Sequence, residues 1–232
     1  MAYRETEHTR DKKAHTRQRL LSAARDIVAE QGFAAATALA VAERSGVATG
    51  TIYRHFPNKS ELVAEVFRYA TAHEVAQVAA ASQQDDTTVA QRLSQGIQVF
   101  IERALRGPTL AYALIAEPVD PRVEQERLTY RLAYADIFED LISEGIDNGE
   151  LAPQEASISA AAMVGLLSEA LVGPLFLQKH STPTTQAANT MPRQAIPTDI
   201  QALLQHELTA LCLRALGVII HSGSHAHDEH RI

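Results

Sequence analysis

Apolar residues recur along this chain at intervals of three and four, and nowhere do β-branched and aromatic residues alternate with polar ones. The pattern predicts helices and no strands. Over residues 16–31, Leu20, Ala24, Ile27 and Val28 share one stripe, and Gly32 stands where a C-terminal cap is expected. Thr37 is placed to cap a short helix that runs to Ser45 with Leu39, Val41 and Ala42 on its apolar side, and Gly46 ends it. The next helix, 49–56, starts only three residues later and stops before Pro57. Two short helices around a tight glycine turn make a helix-turn-helix. Asn58 and Glu61 then have capping-box spacing for a longer fourth helix carrying Leu62, Val66, Tyr69 and Ala70, which joins this head to the remainder of the chain.

After a polar break at 83–88, helical spacing resumes over 89–106 and stops at Gly107-Pro108; another helix ends near Glu117-Pro118. Asp120-Pro121 supplies an N-cap and a first-turn proline for a long helix that closes at Asn148-Gly149. A mostly apolar helix is expected at 155–178. Residues 179–198, rich in Thr, Pro, Gln and Asn without periodicity, read as a mobile loop. In the last predicted helix, 199–220, Leu204, Leu208, Leu211, Ala215 and Val218 are spaced by four, three, four and three, a coiled-coil-like seam. The expected protein is all-α: a flexible basic and polar arm at 1–14, a three-helix helix-turn-helix domain at 15–60, a larger helical domain at 61–220, and a disordered His-containing tail at 221–232.

Composition narrows the class. With 232 residues, 46% of them hydrophobic and 21% charged, the chain can bury a core and is not a disordered protein. Its net charge of -7 is unevenly spread: residues 1–60 carry ten Lys/Arg against six Asp/Glu, while the remainder is strongly acidic. A basic head on an acidic body implies that the head alone approaches a polyanion. The polar start does not read as a secretory leader, so a cytoplasmic location is expected. The apolar run 160–177 is interrupted by Ser168, Glu169 and Pro174 and is expected to be a buried helix rather than a membrane span. Cys212, the one cysteine, offers neither an intrachain disulfide nor a thiolate zinc set. His221, His225, His227 and His230 lack cysteines and carboxylates around them and read as a solvated tail; no metal and no cofactor are expected. Gly-rich phosphate loops, nucleophile-base motifs and metal-spaced His/Glu sets are missing, which argues against an enzyme.

A helix that reads DNA must bury one face and present hydrogen-bond donors on the other. Residues 49–56 meet both demands: Ile52 and Phe56, four apart, would pack inward, while Thr49 and Tyr53 share an outward face flanked by Thr51, Arg54 and His55. Gly50 lets backbone approach a phosphate at the helix start, Thr37 has the same opportunity one helix earlier, and Lys59 adds a cation for the sugar-phosphate backbone. The blander alternatives are that Tyr53 packs beneath the helix, that Thr51 caps it, and that His55 is merely solvated. The run Gly46-Val47-Ala48-Thr49-Gly50-Thr51-Ile52-Tyr53-Arg54-His55-Phe56, then Lys59 and Leu62, with Phe33, Thr37, Val41 and Ala42 upstream, resembles the signature of TetR-family transcriptional regulators over about residues 15–70. Ala36 departs from it: the family often has a second threonine there. The resemblance implies that Thr49, Thr51, Tyr53 and Arg54 face base edges, with Arg54 the candidate for operator choice, and that Thr37, His55 and Lys59 hold phosphates.

It also implies a homodimer on a palindromic duplex operator, built on the last two helices and released by a small-molecule effector; a helical adaptor without specific DNA binding is the rival. The sequence adds its own support for pairing. Ser159, Ala162 and Gly165 with Met163 and Leu166 permit close helix approach, and the seam of Leu204, Leu208, Leu211 and Ala215 needs a partner. For a mostly apolar pocket, Phe100, Tyr112, Tyr130, Tyr134, Phe138 and Met163 are candidate walls, and His73, Glu117, Arg131 and Glu169 are candidate orienting groups. Each aromatic serves a helical core equally well, and each polar group a salt bridge or helix end.

Overall fold

The structure, a computed structural model, describes residues 7–84, 87–180 and 197–218. Among these residues every regular element is helical. The histidine tail and most of the expected loop, 181–196, lie outside them. The first helix, α1 (Glu7–Gln31), begins well before residue 16, so the expected flexible arm is cut short: its second half is helix. Lys, Arg, Ala and Gln are strong helix formers, and no breaker separates them from the apolar stripe.

A single 3-10 turn (Phe33–Ala35) leads to α2 (Ala38–Ser45), where the Thr37 hydroxyl accepts from the Ala40 amide at 3.1 Å as a cap. Gly46, at φ 67°, adopts the left-handed conformation that lets the Val47 amide reach back to the Ala42 carbonyl and close α2. Leu39 is 58% exposed and not on the apolar side. It stands two residues, about 200° of helical rotation, from Val41, which is buried. α3 (Thr49–His55) comes next, then α4 (Lys59–Ala81), with the Asn58 side chain accepting from the Glu61 amide at 2.8 Å. Only this half of the expected box forms, because the Glu61 carboxylate is engaged by Arg68 and Arg122.

The body comprises α5 (Val89–Arg106), α6 (Pro108–Ile115), α7 (Pro121–Asp147), α8 (Ala156–His180) and α9 (Thr198–Ala215). Thr88 and Gln91 form a reciprocal capping box at α5, and Asp120 caps α7 as its Asp-Pro start predicts. At the end of α9, Gly217 at φ 80° allows the Val218 amide to bond the Leu213 carbonyl, so the helix closes before the expected 220. α8 keeps Pro174 within it and, over Ala156–Leu177, is long and apolar enough to cross a membrane, with mean hydropathy 1.8. In the fold, Ala160, Val164, Leu167, Leu171 and Leu175 bury one side of it against α6 and α7.

Two cores hold these helices. The body core joins α5, α7, α8 and α9 around Leu93, Ile97, Ile101, Phe138 and Ile142. The head core gathers Leu20, Ile27, Phe33, Val41, Ile52, Phe56 and Phe67, but also takes in Leu110, Ala113 and Leu114 of α6 and Val123 of α7. The head is therefore packed onto α6 and not merely tethered by α4, and polar links repeat the connection: the Phe33 amide donates to Glu117 Oε2 at 3.2 Å and Ser60 Oγ to Asp120 Oδ2 at 2.7 Å.

Candidate DNA-reading surface and ligand cavity

Ile52 at 1% and Phe56 at 0% exposure pin α3 to the head core. With that side fixed, 3.6 residues per turn throw Gly50, Tyr53 and Arg54 outward, and Thr49, Thr51 and His55 lie half-exposed at the flanks. Tyr53 is 54% exposed, so it does not pack beneath the helix. Thr51 makes no side-chain cap, and nothing stands within 4 Å of where a Cβ on Gly50 would point. Thr37 and Lys59, both exposed, lie at the starts of α2 and α4 on either side of α3 in sequence. All eight residues expected to meet DNA thus have access to solvent.

Further cations bear on this surface. The His55 imidazole is held below its ordinary pKa by partial burial and by the positive field of Lys13, Arg54 and Arg17. Lys13 and Arg17, one turn apart on α1, are not among the residues expected from the sequence because an arm is predicted where the helix runs; their i,i+4 spacing is the available signal. The Arg17 guanidinium lies 5.2 Å from the centre of the Phe56 ring and 2.5 Å from Glu65 Oε2. Burial would raise the Glu65 carboxyl, but hydrogen bonds from Arg17 and Arg68 hold it below the usual carboxylate range.

Above the head, α4, α5, α6 and α7 enclose a cavity of about 220 Å³, with Arg25 of α1 on its edge. Four of the ten expected pocket residues line it: Phe100, Tyr130, Arg131 and Tyr134. The other six do not. Phe138 and Met163 are consumed by the body core, where Met163 is only 4% exposed. Tyr112 packs on Phe176 with ring centres 5.8 Å apart, Glu117 is buried against the Phe33 amide, and His73 and Glu169 face solvent. In their place stand Arg103 and Glu74, paired at 2.5 and 3.0 Å, together with Thr71, Arg106 and Arg127. Arg127 is a buried cation that supports the fold. Its guanidinium donates to the carbonyls of Leu114 (2.9 Å), Ala113 (3.3 Å) and Glu117 (2.8 Å), satisfying the end of α6. Phe100 and Tyr134 meet edge to face at 5.2 Å, and burial together with Glu74 raises the Tyr134 phenol well above its ordinary pKa.

Of the residues expected at a dimer contact, Ala162, Gly165, Leu211 and Ala215 are exposed and Ser159, Leu166 and Leu204 half-buried. Met163 and Leu208 are not available: both point into this chain's own core beside Cys212 and Leu213. The outer face of α8 and α9 instead shows Ile158, Leu177, Leu203 and Ile200.

Residues 20–66, which hold α2, α3 and the cores of α1 and α4, match the family model described as bacterial regulatory proteins, tetR family. That head segment is a helix-turn-helix of the tetR family. Solved structures of the same fold include transcriptional regulator FadR from Bacillus subtilis in complex with stearoyl-CoA (18% identity over 88% of this chain and 99% of that one, TM-score 0.66). NemR of E. coli in its reduced form (13%, 88% and 98%, 0.66) and a TetR/AcrR-family regulator from Thermobifida fusca (17%, 85% and 96%, 0.57) are also similar. Each similarity spans head and body together, so the body shares the tetR-family fold although the family motif ends near α4. The head is thus the DNA-binding helix-turn-helix of that family, and the body has the fold of the regulators named above.

Proposed function

We propose that this chain acts in the cytoplasm as a homodimeric repressor that holds a palindromic operator with two copies of α3 and lets go when a small, mostly apolar effector fills the cavity. The observation that carries the reading is α3 itself: Ile52 and Phe56 are sealed in the head while Tyr53 and Arg54 stand out from it, the division of labour that a major-groove helix needs. On that surface Thr49, Thr51, Tyr53 and Arg54 meet base edges, and Thr37, Gly50, His55 and Lys59 meet phosphates. The exposed apolar face of α8 and α9, with Gly165 and Ala162 allowing close approach, supports pairing of two chains. A stearoyl-CoA complex of a protein with this fold supports an effector role for the cavity.

Release follows by linkage if the effector favours a dimer whose heads are spaced wrongly for adjacent grooves. α4 and α6 are the transmitting elements, since both line the cavity and both contribute to the head core.

The test is to select genomic fragments on the purified protein and measure their affinity against salt. A dimeric reader loses affinity steeply as salt rises, and loses it further when Thr51 and Tyr53 become alanine. A flat salt response, unchanged by those substitutions, overturns the reading in favour of a helical adaptor.

A further inference from the structure

The cavity has apolar walls, among them Phe67, Val78, Phe100, Ala104 and Ile115, which suit a hydrocarbon body. Yet five guanidiniums, those of Arg25, Arg103, Arg106, Arg127 and Arg131, border it against one carboxylate, Glu74. A purely apolar occupant gives those cations nothing, and desolvating them without partners is costly.

Which polar groups are already committed decides what an occupant must bring. Both Glu74 oxygens are taken by Arg103, so the lining offers no free carboxylate. Arg127 spends its donors on the α6 carbonyls and Glu124, and the Thr71 hydroxyl on the Phe67 carbonyl at 2.9 Å. Arg106 pairs with Glu102, and Arg25 holds its sequence neighbour Asp26 through a single nitrogen at 3.2 Å. Arg131 has no ion pair or hydrogen bond among the described residues, and the Tyr134 hydroxyl donates to none of them. The cavity is left with a surplus of donors and positive charge.

Building on the effector-site reading above, we infer that this cavity selects an anion on a short apolar body, a carboxylate or phosphate ester whose charge is met by Arg131, Arg25 and the Tyr134 hydroxyl. Size agrees: about 220 Å³ gives room for a compact apolar body. The charge also has a mechanical consequence. Arg25 belongs to α1 in the head while Arg131 belongs to α7 in the body, so one anion touching both ties the head's position to occupancy.

Calorimetric titration of the full chain with octanoate, octyl phosphate, octan-1-ol and octyltrimethylammonium tests this. One or both anions are expected to bind about tenfold or more tightly than the alcohol, with the ammonium weakest. The better anion identifies the head group. The exposed substitution Arg131→Gln, alone and with Arg25→Gln, should bring the anion to within about threefold of the alcohol and leave the alcohol's affinity unchanged. Equal binding of alcohol and anion, or an anion indifferent to both substitutions, overturns the inference. If Ala111→Trp on the cavity wall then abolishes that equal binding, with the thermal melt showing a folded chain, the effector-site reading stands without it. No binding by any probe overturns the inference, and binding by probes that ignores Ala111→Trp overturns both.

Discussion

The reading surface and the cavity are built in opposite ways. Six of the eight residues expected to meet DNA fall within one seven-residue helix, and their exposure follows from the two side chains, Ile52 and Phe56, that anchor it. The cavity draws its lining from five helices, α1 and α4 to α7, spread over more than a hundred residues. A site on one helix can change its outward residues without disturbing what holds the helix. A site between helices shares its residues with the packing, as Arg127 does by capping α6 while bordering the cavity. Recognition and stability should therefore separate at the first site and remain entangled at the second.

The largest effect tests the anchor side of that contrast. Phe56→Ala empties a fully buried position and should cost about 3–5 kcal/mol in chemical denaturation, with DNA binding lost alongside. Tyr53→Ala, on the opposite side of the same helix, should leave the denaturation midpoint within about 0.5 kcal/mol and weaken the selected DNA fragment by about 1–3 kcal/mol. If Tyr53→Ala destabilises as Phe56→Ala does, the separation is broken.

Next comes a glycine pair in the body. A Cβ on Gly145 would lie 2.8 Å from Leu151 Cδ1 and 3.0 Å from Val89 Cγ1, so Gly145→Ala should cost about 1–3 kcal/mol of stability. Gly165 faces open space, and Gly165→Leu should leave the fold intact while sedimentation shows fewer dimers. An unchanged dimer would remove α8 from the proposed contact.

A smaller effect tests the seam between the two regions. Glu117→Ala withdraws the acceptor of the buried Phe33 amide and should cost about 1–3 kcal/mol, read as a lower melting temperature, with Glu117→Gln recovering part of it. The smallest is electrostatic. The folded-state pKa of His55 lies below its ordinary 6.5, so the unfolded chain takes up that proton first. Its contribution to stability is present above about pH 6.5 and is lost as pH falls through the lowered value, and His55→Gln should flatten the thermal stability between about pH 7.5 and about pH 5.5. A profile unchanged by that substitution removes the effect of partial burial and of Lys13, Arg54 and Arg17 on this imidazole.

Much of this protein could be read along the chain because its signals are local. Period-3.6 spacing, Thr37 and Asp120 as caps, and Gly46 as a stop all act within one or two turns, so a linear pattern carries them. The α3 surface could be read for the same reason: burial of Ile52 and Phe56 dictates by helical rotation which neighbours face out. Leu39 is the exception, since an apolar side chain two positions from Val41 cannot share its face of α2.

Tertiary packing decided the rest, because it depends on which helix faces meet. Phe138 and Phe100 carry the same side chain, yet the first fills the α7–α8 core with Met163 and the second borders the cavity with Tyr134. Leu208 fits the heptad seam of α9 but turns inward beside Cys212, leaving Leu211 outside. Arg25, in a helix that the sequence assigns to the head alone, borders a cavity in the body because α6 packs against α1. Sequence spacing sets each helix's faces; only the assembled bundle sets which of those faces becomes core, cavity or open surface.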